Sequence, residues 1–235
     1  MKKVCFLVAV AAILSACGNG KIKIGTDSLV MHHAEQARIV AESKLPISYE
    51  SENRFNATVD DSGVVTARCV GETRIRVSTD DDVRFVSVDV RPLHSLFTVP
   101  DIAFGESRES VVSKYGQPDQ VTSGGVLVYN DYCMIGFKLM VTLSDGAVSS
   151  YAVAVPSAFS SQLSDFLAER YVSVGAEDGV VYMVDGVSPE SASLFILVTY
   201  SSGYYVVLYT PVGSGKGLAC LPGCDPSLWL NVLYK

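Results

Sequence analysis

No stretch of this 235-residue chain combines the length and apolarity of a membrane-spanning helix, which takes about 20 apolar residues in a row. The run Val4–Leu14 is too short, and no other segment reaches that length without charge or glycine. Basic residues are outnumbered, 18 Lys and Arg against 25 Asp and Glu, for a formal net charge of −7. That balance argues against nucleic acid as a partner and against a broad electrostatic hold on anionic lipid. Histidine is scarce: His32, His33 and His94 are the whole supply. His32 and His33 adjoin, so on a strand they point to opposite faces and cannot serve one metal. There is no G-x-S-x-G elbow, and no cysteine has a histidine in local support. The loop Val212-Gly213-Ser214-Gly215-Lys216-Gly217 fails as a phosphate cradle. Thr210 stands where the motif needs glycine, and Gly217 follows Lys216 where Ser or Thr is needed. Asp80-Asp81-Asp82 reads as a solvated turn tip, with calcium the competing reading. No acid, base and nucleophile come together, so the expectation is a non-enzyme with no catalytic residue, metal or cofactor.

The chain begins with Lys2 and Lys3, continues through Val4–Leu14, and reaches the small residues Ser15 and Ala16. A basic start, a short apolar core and small residues before a cut describe a secretory signal peptide. Leu14-Ser15-Ala16-Cys17 resembles the lipobox of bacterial lipoproteins. The resemblance implies removal of residues 1–16 and lipid on the Cys17 thiol, the new first residue. Losing Lys2 and Lys3 and no acid moves the formal charge from −7 to −9. Membrane attachment would then come from the acyl chains, each buried methylene contributing about 0.8 kcal/mol. The expected location is the bacterial envelope, by anchorage in the outer membrane. Residues 17–20, Cys-Gly-Asn-Gly, form a flexible tether.

Cys69, Cys133, Cys220 and Cys224 remain after Cys5 leaves and Cys17 is lipidated. The Pro-Gly turn in Cys220-Leu221-Pro222-Gly223-Cys224 brings its two sulfurs within reach of a local disulfide. So short a loop would stabilise by only about 2 kcal/mol. Free thiols and a metal or redox pair stay open as alternatives, although redox motifs favour two intervening residues.

Short alternating stretches fill residues 21–91. Asn56–Val59 leads into the turn Asp60-Asp61-Ser62-Gly63. Val64–Val70 alternates, Gly71-Glu72 punctuates, and Thr73–Ser78 puts Thr73, Ile75 and Val77 on one face with arginines on the other. Phe85–Val90 makes a further strand, and the set reads as a small antiparallel sandwich. The run A-T-V-D-D-S-G-V-V-T-A-R-C-V-G-E-T-R-I-R-V is similar to the signature of the bacterial Ig-like group 2 family. Tyr49 and Ser51 would stand where that family has tryptophan and serines, Gly63 at its hairpin and Gly71 before its next strand. The resemblance implies an all-β Ig-like module of surface and envelope proteins, often adhesins, without catalytic residues. Cys69 shares a face with Val65 and Ala67, as a core thiol does.

Arg91-Pro92-Leu93-His94-Ser95 marks a domain boundary, since proline blocks continuation of the strand. In residues 95–235 Ser107 caps a helix Arg108–Tyr115, which Gly116 and Pro118 stop. Strands are predicted at Val126–Asn130, Cys133–Leu143 and Val148–Val155. Cys133, Ile135, Phe137, Leu139, Val141 and Leu143 would share a face. The order then recurs. Ser157 caps Ala158–Arg170, with Phe159, Leu163, Phe166 and Leu167 as its apolar stripe. Strands follow at Tyr171–Val174, Gly179–Val184, Ser193–Tyr200 and Tyr204–Thr210. Two helix-plus-antiparallel-meander units suggest a duplicated α+β domain. G-E-S-R-E-S-V-V-S-K-Y-G-Q-P, with L-V-Y after it, resembles the short motif of the SmpA/OmlA outer-membrane lipoproteins. The duplicated plan looks like the β-lactamase inhibitory protein fold. Both resemblances imply protein binding.

The second meander is apolar on both faces. Tyr204, Val206 and Leu208 oppose Tyr205, Val207 and Tyr209, while Val180, Tyr182 and Val184 oppose Val181 and Met183. An antiparallel sheet with one helix layer is ordinarily polar outside. Either the tail Leu228-Trp229-Leu230-Asn231-Val232-Leu233-Tyr234 or the other repeat covers the second face, or it docks a partner. Tyrosines suit docking, being apolar in body and hydrogen-bonding at the tip. Tyr182, Tyr204, Tyr205 and Tyr209 are therefore the candidate contacts for a protein or glycan. The reading is a non-catalytic envelope lipoprotein in adhesion or surface interaction. The alternative is a periplasmic assembly or inhibitory factor that captures another protein.

Overall fold

The computed structural model describes residues 20–213. The expected signal segment, Cys17 and the Cys220/Cys224 pair lie outside the described residues. The chain divides into two compact units at the His94–Ser95 junction.

The described residues of the first unit form nine strands, β1 (Lys23–Ile24), β2 (Ser28–His32), β3 (Gln36–Arg38), β4 (Ala41–Glu42), β5 (Ser48–Ser51), β6 (Ala57–Val59), β7 (Val64–Ala67), β8 (Gly71–Ser78) and β9 (Val83–Arg91). A four-stranded sheet in the order β2-β9-β8-β5 faces a three-stranded sheet β3-β7-β6 across a common core, which makes the unit a β-sandwich. β1 and β4 pair apart from both. The alternation of β8 decides which side is core. Thr73, Ile75 and Val77 are buried, while Glu72, Arg74 and Arg76 face water. Ile75 and Val77 meet Val65, Val86, Val88, Met31 and Ala57 in that core. Each Val, Ile or Met side chain among them contributes about 1.5–3 kcal/mol when fully buried. β2 runs parallel to β9, unlike its neighbours in that sheet. The strand predicted over Val64–Val70 ends at Ala67. Gly71 explains where the chain turns into β8: its φ is +137°, and a Cβ there would stand 2.5 Å from Asn56 Nδ2. That buried amide donates to the carbonyls of Cys69 and Val70, so no side chain fits at position 71.

The second unit runs α1 (Arg108–Tyr115), β10 (Gln120–Val121), β11 (Leu127–Asn130), β12 (Lys138–Ser144), β13 (Ala147–Pro156), a 3-10 turn (Ser157–Phe159), α2 (Ser160–Ala168), β14 (Val172–Glu177), β15 (Val180–Val184), a second 3-10 turn (Pro189–Ser191), β16 (Leu194–Ser201) and β17 (Tyr204–Pro211). The eight strands among the described residues form one sheet, β10-β11-β12-β13-β17-β16-β15-β14, with every neighbour antiparallel. Its middle joins β13 to β17, from Tyr151↔Tyr209 to Pro156↔Tyr204.

Local signals account for α1. The Ser107 side chain accepts from the Ser110 amide, and Gly116, at φ +83°, returns its N–H to Val112 O. α2 begins differently from expectation. Ser157 makes no cap; it opens the 3-10 turn, and Leu163, Phe166 and Leu167 are the buried stripe of the helix that follows. β12 is also shorter than expected. Residues Asp131–Gly136 form a tight loop, with positive φ at Asp131, Cys133 and Gly136. The Gly136 amide donates to Asp131 Oδ1 and the Tyr132 hydroxyl to Thr98 O. Cys133 and Ile135 therefore leave the strand face, and Ile135 is 87% exposed. Only Phe137 onward joins the core. β10 pairs with β11, adding a strand to the predicted three.

One sheet face carries Leu139, Val141, Tyr151, Val153, Ile196, Val207 and Tyr209 against Val111 of α1 and Leu163, Phe166 and Leu167 of α2. The opposite face carries a separate cluster, including Val128, Met140, Ala152, Phe195, Val206 and Leu208.

Candidate functional site

Strand register sorts the four candidate tyrosines. Tyr205 and Tyr209 project to the helix-covered face; Tyr182 and Tyr204 belong to the second cluster. They do not form one surface. Tyr209 is 0% exposed, stacked on Tyr151 with ring centroids 4.9 Å apart and edge-on to Tyr171. Its burial pushes the phenol pKa well above the ordinary value. Tyr209 is a core residue and offers nothing to a partner, which corrects its place among the contacts. Tyr182 and Tyr204 are half-buried at the rim of the second face. The ammonium of Lys138 lies 5.7 Å from the Tyr204 ring centroid, a cation–π contact worth about 0.5–1 kcal/mol at an exposed site.

Tyr205 is half-buried, and register places it between Val155 and Tyr200. Tyr200 is 56% exposed, its ring tilted against Tyr205 at 5.2 Å. Val181, opposite Val198, lies diagonal to Tyr200 on the same face and is 38% exposed. Tyr200, Tyr205 and Val181 thus form a partly exposed apolar strip on one side of the sheet. Tyr200 was not among the sequence candidates. Its signal was its position directly before Ser201-Ser202-Gly203, past the point where β15 can flank β16: Thr199 is the last β16 residue with a β15 partner.

The first unit has a shallow cleft of about 510 Å³ that includes Glu52, Glu72, Arg74 and Asp89. Three of its charges are paired: Arg74 with Glu52 at 2.7 Å, and Asp89 with Arg91 at 2.7 Å. Exposed pairs of this kind contribute at most about 1 kcal/mol. Among the described residues no three His, Cys, Asp or Glu side chains converge as a metal would need. Of the three consecutive aspartates, Asp82 accepts from the Ile22 and Val83 amides and from Arg84. His32 and His33 each bond a different backbone carbonyl, that of Arg91 and that of Arg68.

Cys69 is buried, and burial pushes its thiol up to about 11. A folded-state pKa above the unfolded value favours the fold below the unfolded pKa, and that contribution is lost as pH rises through the folded one. Thermal scans should show the sandwich weakening between pH 9 and 11, and Cys69→Ala should flatten that decline. An equally steep decline in Cys69→Ala would assign it to other groups.

No family model matches the chain, and no curated protein matches it. Among solved structures it is similar to domains 5–6 of the S-layer protein SbsC, at 13% identity and a TM-score of 0.28, over 83% of this chain and 85% of that one. It is similar also to domains 4–9 of surface layer protein SbsC, at 12% identity and a TM-score of 0.28, over 85% of this chain and 28% of that one. Superpositions this loose relate neither site residues nor activity.

Proposed function

We propose that this chain is a lipid-anchored protein of the bacterial envelope that binds a protein or glycan without catalysis. In this reading Cys17 carries the lipid, the Ig-like sandwich is a spacer, and the strip Tyr200–Tyr205–Val181 is the contact surface. The ring pair of exposed Tyr200 and half-buried Tyr205 is the observation that carries it. Tyrosines held by a rigid sheet lose little entropy on binding, and their hydroxyls serve either a protein or a sugar.

The path of the chain through the first unit supports the spacer role. Gly20 sits beside Ser43 and Thr79, and the Ile22 amide donates to Asp82, next to the start of β9. β9 then runs nine residues to Arg91, about 27 Å at roughly 3.3 Å per residue. The chain therefore enters the sandwich at one pole and leaves it at the other. Cys17 is three residues from Gly20, about 10 Å at full extension, so the first pole would be held close to the bilayer.

A second reading, the periplasmic assembly or inhibitory factor, draws on the order helix then four strands, which occurs twice and feeds one continuous sheet. It draws also on the likeness of a duplicated plan to the β-lactamase inhibitory protein fold and on the SmpA/OmlA-like motif, both of which imply protein binding. Labelling of intact cells separates the two, because an adhesin must be reachable from outside.

The binding test is a capture from envelope extract by the wild type and by Tyr200→Ala/Tyr205→Ala. The expected result is a specific partner recovered by the wild type and lost, tenfold or more, in the folded variant; a loss of about 1.4 kcal/mol is tenfold in affinity. Equal recovery by both would remove the strip from the reading.

A further inference from the structure

The outer face of the sheet β2-β9-β8-β5 carries a polar cleft that a spacer has no need of. Directly paired residues share a sheet face, so Glu72 lies beside Asp89, Arg74 beside Ser87 and Arg76 beside Phe85. Thr73, Ile75 and Val77 turn inward between them. β5 pairs with β8 as far as Ser51↔Ile75. Beyond that point the Glu52 amide donates to Arg74 O and the Asn53 amide to Thr73 Oγ1. This segment walls a cleft that β8 and β9 floor. Its volume, about 510 Å³, falls within the roughly 300–1,000 Å³ of small-molecule sites.

Most of the lining is fixed before any ligand arrives. Arg74 grips Glu52 by two bonds, Nε to Oε2 at 2.7 Å and Nη2 to Oε1 at 3.1 Å. Its guanidinium carbon lies 4.7 Å from the Phe85 ring centroid, which leaves Nη1 outside the Glu52 pair. Asp89 is held by Arg91 at 2.7 Å. Glu72 differs. It is exposed, has no ion pair among the described residues, and stands opposite Asp89. Like charges so placed are destabilising, and an outward position demands no carboxylate for packing.

The charge balance narrows the ligand. Glu52 and Asp89 are each offset by an arginine, so Glu72 leaves one net negative charge. That repels an anion and is too little to hold a multiply charged cation. What remains is a mixed array: carboxylate acceptors at Glu72 and Asp89, with donors at Arg74 and the exposed Ser87 hydroxyl. Sugar hydroxyls, each both donor and acceptor, match such an array, and bonds to charged partners are the stronger ones. Phe85, 42% exposed, adds an apolar flank for the C–H face of a sugar ring. We propose that this cleft of the sandwich binds a neutral saccharide. Glu72 and Asp89 accept from its hydroxyls, Arg74 and Ser87 donate to its oxygens, and Phe85 flanks the ring.

The test is an array of neutral, anionic and amine-bearing oligosaccharides probed with the full chain in detergent. Neutral glycans should bind, and Glu72→Gln/Asp89→Asn should weaken them tenfold or more. Phe85→Ala should weaken them several-fold. Glu72→Gln also removes the like-charge contact, so the thermal midpoint of the first unit should hold or rise. A fall in that midpoint would assign the carboxylate to the fold and overturn the proposal. So would an array without a neutral binder, or neutral binding that Glu72→Gln/Asp89→Asn leaves intact. Binding abolished by Tyr200→Ala/Tyr205→Ala would place the sugar on the strip of the second unit and overturn it as well.

Discussion

Tyr209→Ala should destabilise the second unit by about 3–5 kcal/mol, the range for removing a large aromatic side chain from a core. The residue is sealed between Tyr151 and Tyr171, and the sheet on which it sits joins β13 to β17 at that row. Collapse around the deleted ring is limited, because Tyr151 is held in β13 and the Tyr171 backbone is tied to Leu167 O at the end of α2, so the cavity persists. Tyr205→Ala, two turns of the pleat away on the same face, removes a half-buried ring and should cost about 1 kcal/mol. Urea unfolding followed by the second unit's signal measures both. The midpoint should fall far more for Tyr209→Ala, with the slope unchanged. Similar small losses at both positions would mean that Tyr209 is not packed as described. The contrast separates structure from recognition: Tyr205 and Tyr200 can be varied in a binding experiment, and Tyr209 cannot.

The proposed anchor has the other large effect. Cys17→Ser should move the protein from the membrane pellet to the soluble fraction. A single myristoyl chain binds membranes with a constant of only about 10⁴ M⁻¹, while several chains on one residue hold effectively permanently, so removal acts as a switch. No described helix is long and apolar enough to cross a membrane, and the net charge of −7 repels anionic lipid. Fractionation after a carbonate wash is the measurement. Cys17→Ser protein that stays in the pellet would contradict the anchor.

How far the fold can be read from the residues depends on the range of the signal. α1 is legible because Ser107 and Gly116 act on backbone groups within one turn. β8 is legible because its arginines alternate with buried Ile75 and Val77. The stretch from Cys133 to Phe137 misleads, since Cys133, Ile135 and Phe137 keep the period of a strand. The chain must reverse there to pair β12 with β11, and Asp131, Cys133 and Gly136 take left-handed backbone to do so. Alternation in β17 separates Tyr204 from Tyr205 correctly, yet it cannot tell Tyr205 from Tyr209. Both have the same parity. What distinguishes them is distance from the stacked rings of Tyr151 and Tyr171, which only the assembled sheet defines. Tyr200 escapes for a related reason: its exposure follows from where β15 starts, on a different strand.

The most direct test of the contact surface places a photo-reactive amino acid at position 200 in growing cells, with position 54 as the exposed control in the first unit. On illumination, a discrete adduct is expected from position 200 and none of that size from position 54. Its yield should fall severalfold when Tyr205→Ala is added. No adduct at position 200, or the same pattern from both positions, would contradict the Tyr200–Tyr205 strip as the working surface.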